Sequence, residues 1–251
     1  MAQLRLLFRI LLIALGLLVC LLPHYACVAL RRRSPWPRRF LGWVGYAAGL
    51  RTTIVGTPLP SHVLFVANHL SWLDIMAVAG ASGAAFVSKA EVGDWPVIGW
   101  LSRLNNTVFV ARAERAAVRG QADALRTALV SGQPVALFPE GTTEGGQEVL
   151  AFRAALLASL YPTLPGIRVQ PIALDYGAAG ADIAWVGKES AGANARRVLG
   201  RRGTIPLTIR FLQPIDPAKV PDRKALAAAT RAEIIESLGS ESPGNRLYAG
   251  R

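Results

Sequence analysis

Two short blocks of the sequence carry side chains whose types and spacing could do chemistry. In Asn68-His69-Leu70-Ser71-Trp72-Leu73-Asp74, a histidine follows the apolar run Val63–Ala67 and an aspartate lies five residues further on. If the chain turns into a helix after His69, Asp74 comes back within reach of the imidazole. A carboxylate that accepts the proton of one ring nitrogen fixes the tautomer and makes the other nitrogen a better base. That pair could deprotonate a hydroxyl. The competing reading is that His69 caps the helix and Asp74 is a solvated acid in its first turn. The second block, Phe138-Pro139-Glu140-Gly141-Thr142-Thr143, follows the apolar run Pro134–Phe138. It offers backbone N–H groups, two hydroxyls and a glycine that permits close approach, a shape suited to an oxyanion or a phosphate. Taken alone it is also an ordinary turn.

These blocks need a scaffold that brings them together. Val63–Ala67 reads as a buried strand, which places His69 at a strand's carboxyl end, where α/β folds build their sites. Ala84–Ser88, Thr107–Ala111, Pro134–Phe138, Val169–Leu174 and Ile205–Phe211 read as further strands. Helical spacing covers Ala113–Val130, with Val118, Ala122, Leu125 and Leu129 on one face, and recurs at Val149–Leu160 and Arg223–Leu238. The Gly-, Ala- and Arg-rich stretch Gly177–Gly203 reads as an excursion. Strand, loop and helix alternate, so the sequence predicts an α/β domain. No repeat of 20 to 50 residues is present, which argues against a solenoid.

Together and in this order, the two blocks resemble the glycerolipid acyltransferase family, whose best-known members are the 1-acylglycerol-3-phosphate acyltransferases. Asn68-His69 through Asp74 matches its N-H-x4-D block, and Phe138 to Thr142 matches its F-P-E-G-T block. Val108-Phe109-Val110-Ala111-Arg112 looks like the strand-then-Arg block between them, and Val169-Gln170-Pro171-Ile172-Ala173 like the fourth. Ser88-Lys89-Ala90-Glu91 with Pro96, Gly99 and Trp100 is similar to the lysine-bearing segment after the first block. The resemblance covers about residues 60–215.

It implies a single domain, residues 52–251, with a mixed, mostly parallel sheet flanked by helices, behind an anchor at residues 1–51. It implies that His69 is the general base for attack of a lyso-lipid hydroxyl on an acyl thioester, oriented by Asp74. Asn68, Glu140, Gly141 and Thr142 would line the acceptor site, and Arg112 would pair with a phosphate through two charge-assisted hydrogen bonds. Thr143 stands where many members carry Arg. Lys89 and Arg153 could compensate for that missing charge. The first expectation for the acceptor is 1-acyl-sn-glycerol-3-phosphate. The alternative is lyso-ornithine lipid or another lyso-lipid, which some Thr-bearing relatives acylate. The donor would be acyl carrier protein or acyl-coenzyme A.

Charge and hydropathy place the chain at an anionic membrane surface, the expected partner of its basic excess. There are 28 Lys and Arg against 16 Asp and Glu, a formal net charge of +12. The first acidic residue is Asp74, and Arg5, Arg9, Arg31, Arg32, Arg33, Arg38, Arg39 and Arg51 precede it. Ile10–Leu30 carries no formal charge, and about 20 apolar residues suffice to cross a bilayer core. Arg31–Arg33 resembles a stop-transfer flank more than a cleavage site. Pro23 and His24 are expected to interrupt the run. Pro35–Leu50 forms a second amphiphilic piece with Trp36 and Trp43, so a one-leaflet hairpin competes with a spanning helix. In both cases the basic flank favours the cytoplasmic side of the inner membrane.

Other classes fit poorly. Cys20 and Cys27 are the only cysteines and both lie in the apolar run, so no disulfide framework or Cys-based zinc site is expected. No cofactor and no metal are expected. The nucleophile elbow G-x-S-x-G and the nucleotide-binding glycine motifs do not occur. A non-enzymatic, membrane-anchored basic binding protein remains the rival class. Its surface would include Arg196, Arg197, Arg201 and Arg202, but aromatic interleaving is missing there, and no nucleic acid is expected.

Overall fold

The structure is a computed structural model and describes residues 1–110, 115–143, 145 and 148–239. The N-terminal apolar run folds as one continuous helix, α1 (Ala2–Ala29), and passes through Pro23 without a break. The expected interruption does not occur, because one proline removes a single backbone donor from a 28-residue helix. A second helix, α2 (Trp36–Ala48), starts with a proline in its first turn and ends at Gly49 in a left-handed cap.

Next come β1 (Leu50–Val55), β2 (Val63–Ala67), α3 (Leu73–Ser82), β3 (Ala85–Lys89), the short α4 (Ala90–Gly93), α5 (Pro96–Leu104) and β4 (Val108–Val110). The second half contains α6 (Arg115–Val130), β5 (Val135–Leu137), a 3-10 helix at Ala154–Leu160, β6 (Arg168–Asp175), α7 (Gly180–Ile183), α8 (Ala191–Gly200), β7 (Ile205–Phe211) and α9 (Arg223–Gly239). The helical reading of Val149–Leu160 is thus corrected to a shorter and tighter 3-10 segment.

The strands form one sheet in the order β1-β7-β6-β2-β5-β3-β4. Every neighbouring pair is parallel except β6 with β7. The all-apolar β2 sits at the centre and is buried along its whole length. Its alternating side chains feed two layers: Val63, Phe65 and Ala67 face a core shared with α3 and α8, while Leu64 and Val66 face one shared with α6 and α9. Because β2, β3, β5 and β6 run the same way, their carboxyl ends share one edge. Ile172 and Leu174 of β6 lie opposite Phe211 and Ile209 of antiparallel β7, so β7 and its parallel partner β1 begin at that edge.

Helices α1 and α2 pack on the α3–α8 side. Phe40 and Val44 of α2 are buried together with Cys20 of α1. Arg38 donates to the carbonyls of Gly80 and Ala81 at the carboxyl end of α3, at 3.0 and 2.6 Å. Arg9 donates to Val198 and Leu199 of α8 and to Gly203, each at 3.1 Å, and Arg5 donates to Gly200 at 3.0 Å. These arginines satisfy carbonyls that helix ends leave open, where the helix dipole favours a cation. The opposite face of α1 is exposed and apolar, including Leu4, Leu7, Phe8, Leu11, Leu18 and Leu22. It is one helix long and apolar enough to cross a membrane.

Candidate active site

The loop after β2 turns directly into α3, and that turn assembles the first block. Asp74 lies in the first turn of α3 and is fully buried. Its Oδ2 accepts hydrogen bonds from the backbone N–H of Leu70 at 2.7 Å and of Ser71 at 2.9 Å, and lies 2.8 Å from Nδ1 of His69. Its Oδ1 accepts the phenol O–H of Tyr176 at 2.6 Å. The solvated-acid reading of Asp74 therefore falls. Two amides and a phenol give the buried carboxyl oxygens the donors that a polar group out of water requires. In the tautomer that donates Nδ1–H to Asp74, Nε2 of His69 carries the free lone pair. The His69 side chain keeps 17% of its surface exposed, so the ring is open to solvent.

The second block closes over the first. The ring of Phe138 stacks on His69 with centroids 4.1 Å apart and planes 14° apart, and Phe86 stacks behind Phe138. Glu140 does not present its carboxylate to a pocket as expected. Its Oε1 accepts the N–H of His69 at 2.8 Å and its Oε2 accepts the N–H of Leu150 at 3.1 Å, with 3% of the residue exposed. The side chain ties the histidine loop to the segment beyond the second block. Burial is the main cause that pushes its carboxyl from 4.5 up to about 7, against the two amide hydrogen bonds that lower it.

Gly141 has φ +70, a left-handed conformation that glycine adopts without strain. It also leaves room for Arg153: a Cβ at position 141 would lie 3.0 Å from the guanidinium carbon. Arg153 is exposed there and Thr142 is exposed beside it. Thr143 donates its hydroxyl to the carbonyl of Trp185, whose N–H donates to Leu70 at 2.9 Å. The excursion between β6 and β7 is thereby pinned to both blocks. Trp72 adds a further tie, donating to buried Asn194 of α8 at 3.1 Å.

Asn68 locks the strand end. Its side chain donates to the carbonyl of Leu174 at 3.0 Å and accepts the N–H of Leu174 at 2.8 Å, joining the ends of β2 and β6. Lys89 is the last residue of β3, and its side chain, like the whole of Arg112, lies outside the described residues. Among the described residues no group of three or more His, Cys, Asp and Glu side chains could hold a metal ion.

Tyr176 and Trp185 are the contributors that sequence reasoning missed. Tyr176 had a legible signal, since it follows the end of β6 on the same sheet edge as His69. Trp185 had none, because its part is played by backbone atoms in an excursion without periodicity.

A histidine held by a buried carboxylate thus lies at the carboxyl edge of a mostly parallel sheet, beside the Pro-Glu-Gly-Thr turn. A family model described as Acyltransferase matches residues 51–175, and the chain belongs to the glycerolipid acyltransferase family. It is 36% identical to a lyso-ornithine lipid O-acyltransferase of Rhodobacter capsulatus over 77% of this chain and 72% of that protein. It is 39% identical to a 1-acyl-sn-glycerol-3-phosphate acyltransferase of Neisseria gonorrhoeae over 49% of this chain and 48% of that protein. The fold matches the crystal structure of the 1-acyl-sn-glycerophosphate acyltransferase PlsC from Thermotoga maritima, with TM-score 0.69 and 21% identity over 95% of this chain and 96% of that one. The protein is therefore an acyltransferase of the lysolipid class, and its apolar first helix associates it with a membrane.

Proposed function

We propose that the protein moves an acyl group from an acyl thioester, carried by acyl carrier protein or coenzyme A, to the free hydroxyl of lyso-ornithine lipid. His69 Nε2 takes the hydroxyl proton as the oxygen attacks the thioester carbonyl carbon. The tetrahedral adduct collapses, the C–S bond breaks, and the thiolate leaves with the proton from the His69 imidazolium. Asp74 stabilises that imidazolium and keeps Nε2 the basic nitrogen. The observation that carries this mechanism is the 2.8 Å contact between His69 Nδ1 and a buried carboxylate whose other donors are all in place.

The acceptor assignment departs from the first expectation. Support for it comes from the relative that matches over 77% of the chain and from Thr143, whose hydroxyl is spent on Trp185 where a cation would serve a phosphate. Arg153, beside Gly141 and Thr142, supplies the cation that meets the acceptor's carboxylate. The second reading, 1-acyl-sn-glycerol-3-phosphate as acceptor, draws on the relative that matches over about half of the chain. We place residues 1–51 in the membrane and residues 52–251 on the cytoplasmic side of the inner membrane, where soluble thioesters are available. The exposed apolar face of α1 would lie against lipid, while Arg5 and Arg9 hold that helix to α8.

An acceptor panel with one acyl-thioester donor tests the assignment. Lyso-ornithine lipid is expected to outrun lysophosphatidate and lysophosphatidylcholine in kcat/KM, and His69→Ala is expected to abolish transfer to all three. Equal or better use of lysophosphatidate would overturn the acceptor assignment. Wild-type transfer by His69→Ala would overturn the mechanism.

A further inference from the structure

We propose that Trp95-Pro96-Val97-Ile98, the tip where α4 turns into α5, is a second bilayer-contact site that holds the catalytic edge against the lipid surface. The inference rests on the reading above that the acceptor is a membrane lipid, and it is separate from the anchor formed by α1.

The tip is apolar and bare. Trp95 is 45% exposed, Val97 59% and Ile98 47%, and all five residues from 94 to 98 are exposed. Single exposed apolar side chains are ordinary, but several in a row mark a contact surface. Tryptophan in particular favours the headgroup region.

The tip is closely packed at its base. Gly99 packs so tightly on Gly93 that a Cβ there would fall 2.1 Å from the Gly93 carbonyl oxygen. The same carbonyl accepts a hydrogen bond from Arg103 at 2.9 Å, and the Arg103 guanidinium lies over the Phe109 ring at 5.8 Å. The Gly99 N–H bonds back to Trp95 at 2.8 Å. A packed corner with an apolar point is suited to insertion into a soft apolar phase.

Its position decides the partner. β3 runs parallel to β5 and so ends at the edge that carries His69, and α4 starts at the next residue. The far end of α5 is continuous with the anchor: Leu101, Leu104 and Asn105 share an apolar cleft with Leu17, Cys20 and Phe40 of α1 and α2. One helix thus joins the membrane-bound layer to the mouth of the site. Glu91 and Asp94 flank the tip and would repel an acidic carrier protein. That leaves the hydrocarbon and headgroup layer of a bilayer as the occupant.

The test uses the full-length protein with Val97→Asp and Ile98→Asp combined. Activity is read on two acceptors: long-chain lyso-lipid embedded in phosphatidylcholine vesicles, and short-chain lyso-lipid held below its micelle concentration. The expected result is a fall of about tenfold or more on vesicles, because a carboxylate resists burial in lipid, with little change on the monomeric acceptor. Equal activity of variant and wild type on vesicles would overturn the proposal. An equal loss on both acceptors from a protein that melts like wild type would overturn it too, because the tip would then belong to the catalytic pocket. If the vesicle preference is kept while a dimer dissociates, the patch is a self-association surface and the proposal fails. Should the double variant not fold, Trp95→Phe replaces it. Vesicles of brominated phosphatidylcholine are then expected to quench wild-type fluorescence more than the variant's, and an unchanged quench overturns the proposal. Transfer to the monomeric acceptor that survives His69→Ala would instead point to failure of the catalytic reading.

Discussion

Replacing Tyr176 by Phe removes one oxygen and keeps the ring that fills the core. In the native protein that oxygen donates at 2.6 Å to Asp74 Oδ1, while Oδ2 is served by His69, Leu70 and Ser71. Burial and the Asp74 anion hold the phenol well above its ordinary value of 10, so it remains a donor throughout the working range. Loss of a hydrogen bond to a buried charged group costs about 1.5–3 kcal/mol. For a chain of this size that corresponds to a fall in Tm of about 3–12 °C. The catalytic consequence follows from position. Tyr176 anchors Oδ1 while Oδ2 holds Nδ1 of His69, so loss of the phenol bond loosens the carboxylate that orients the imidazole. A fall in kcat of about tenfold is expected, with KM for the acceptor little changed. The assay is initial-rate acyl transfer across pH on the purified full-length protein, with thermal unfolding in parallel. A wild-type kcat in a protein whose Tm has fallen would refute the reasoning and leave Tyr176 a packing residue.

Three further outcomes follow from the same geometry. Asp74→Asn is expected to lower kcat by about 10²–10⁴, because a carboxamide does not hold Nδ1–H against the two backbone amides that need an acceptor; kcat within a few-fold of wild type would count against the dyad. Stability should depend on Glu140: its folded carboxyl titrates at about 7 against an ordinary 4.5, so the folded state keeps a proton that the unfolded chain has lost between those values. About 3 kcal/mol of relative stability is then present below pH 4.5 and is lost as pH rises through 7. Thermal melts of wild type should show that slope and Glu140→Gln should lack it. Arg153→Ala is expected to raise KM for a carboxylate-bearing acceptor by about tenfold with kcat nearly kept, as loss of a charge-assisted contact to the ground state should. An unchanged KM would remove Arg153 from the acceptor site.

Several elements were legible because local chemistry dictates them. Val63–Ala67 and Ile205–Phe211 are strands with the boundaries that their apolar and alternating patterns predict. β1 was missed because Leu50–Val55 is an edge strand whose residues are exposed after Leu50, so it has no buried face to read. The 3-10 helix at Ala154–Leu160 was read as ordinary helix because both present apolar residues at spacings of three to four. The arginines before Asp74 were all read as membrane flanks. Arg5, Arg9 and Arg38 instead close the carboxyl ends of α8 and α3, a use that depends on contacts across 42 to 195 residues of chain.

The sequence by itself determined the pairing of His69 with Asp74. His69 and Asp74 are five residues apart across a strand-to-helix turn, so their contact follows from local backbone geometry once β2 and α3 form. It likewise determined a first helix long and apolar enough to cross a membrane, since about 20 uncharged apolar residues suffice. Only the tertiary structure decided that Asp74 is dry, that Tyr176 from 102 residues away completes its shell, and that Glu140 turns inward to bind the His69 amide 71 residues away. Those contacts arise where β2, β5 and β6 meet at one sheet edge. Burial and long-range donors are properties of that meeting, which no local pattern of residues encodes.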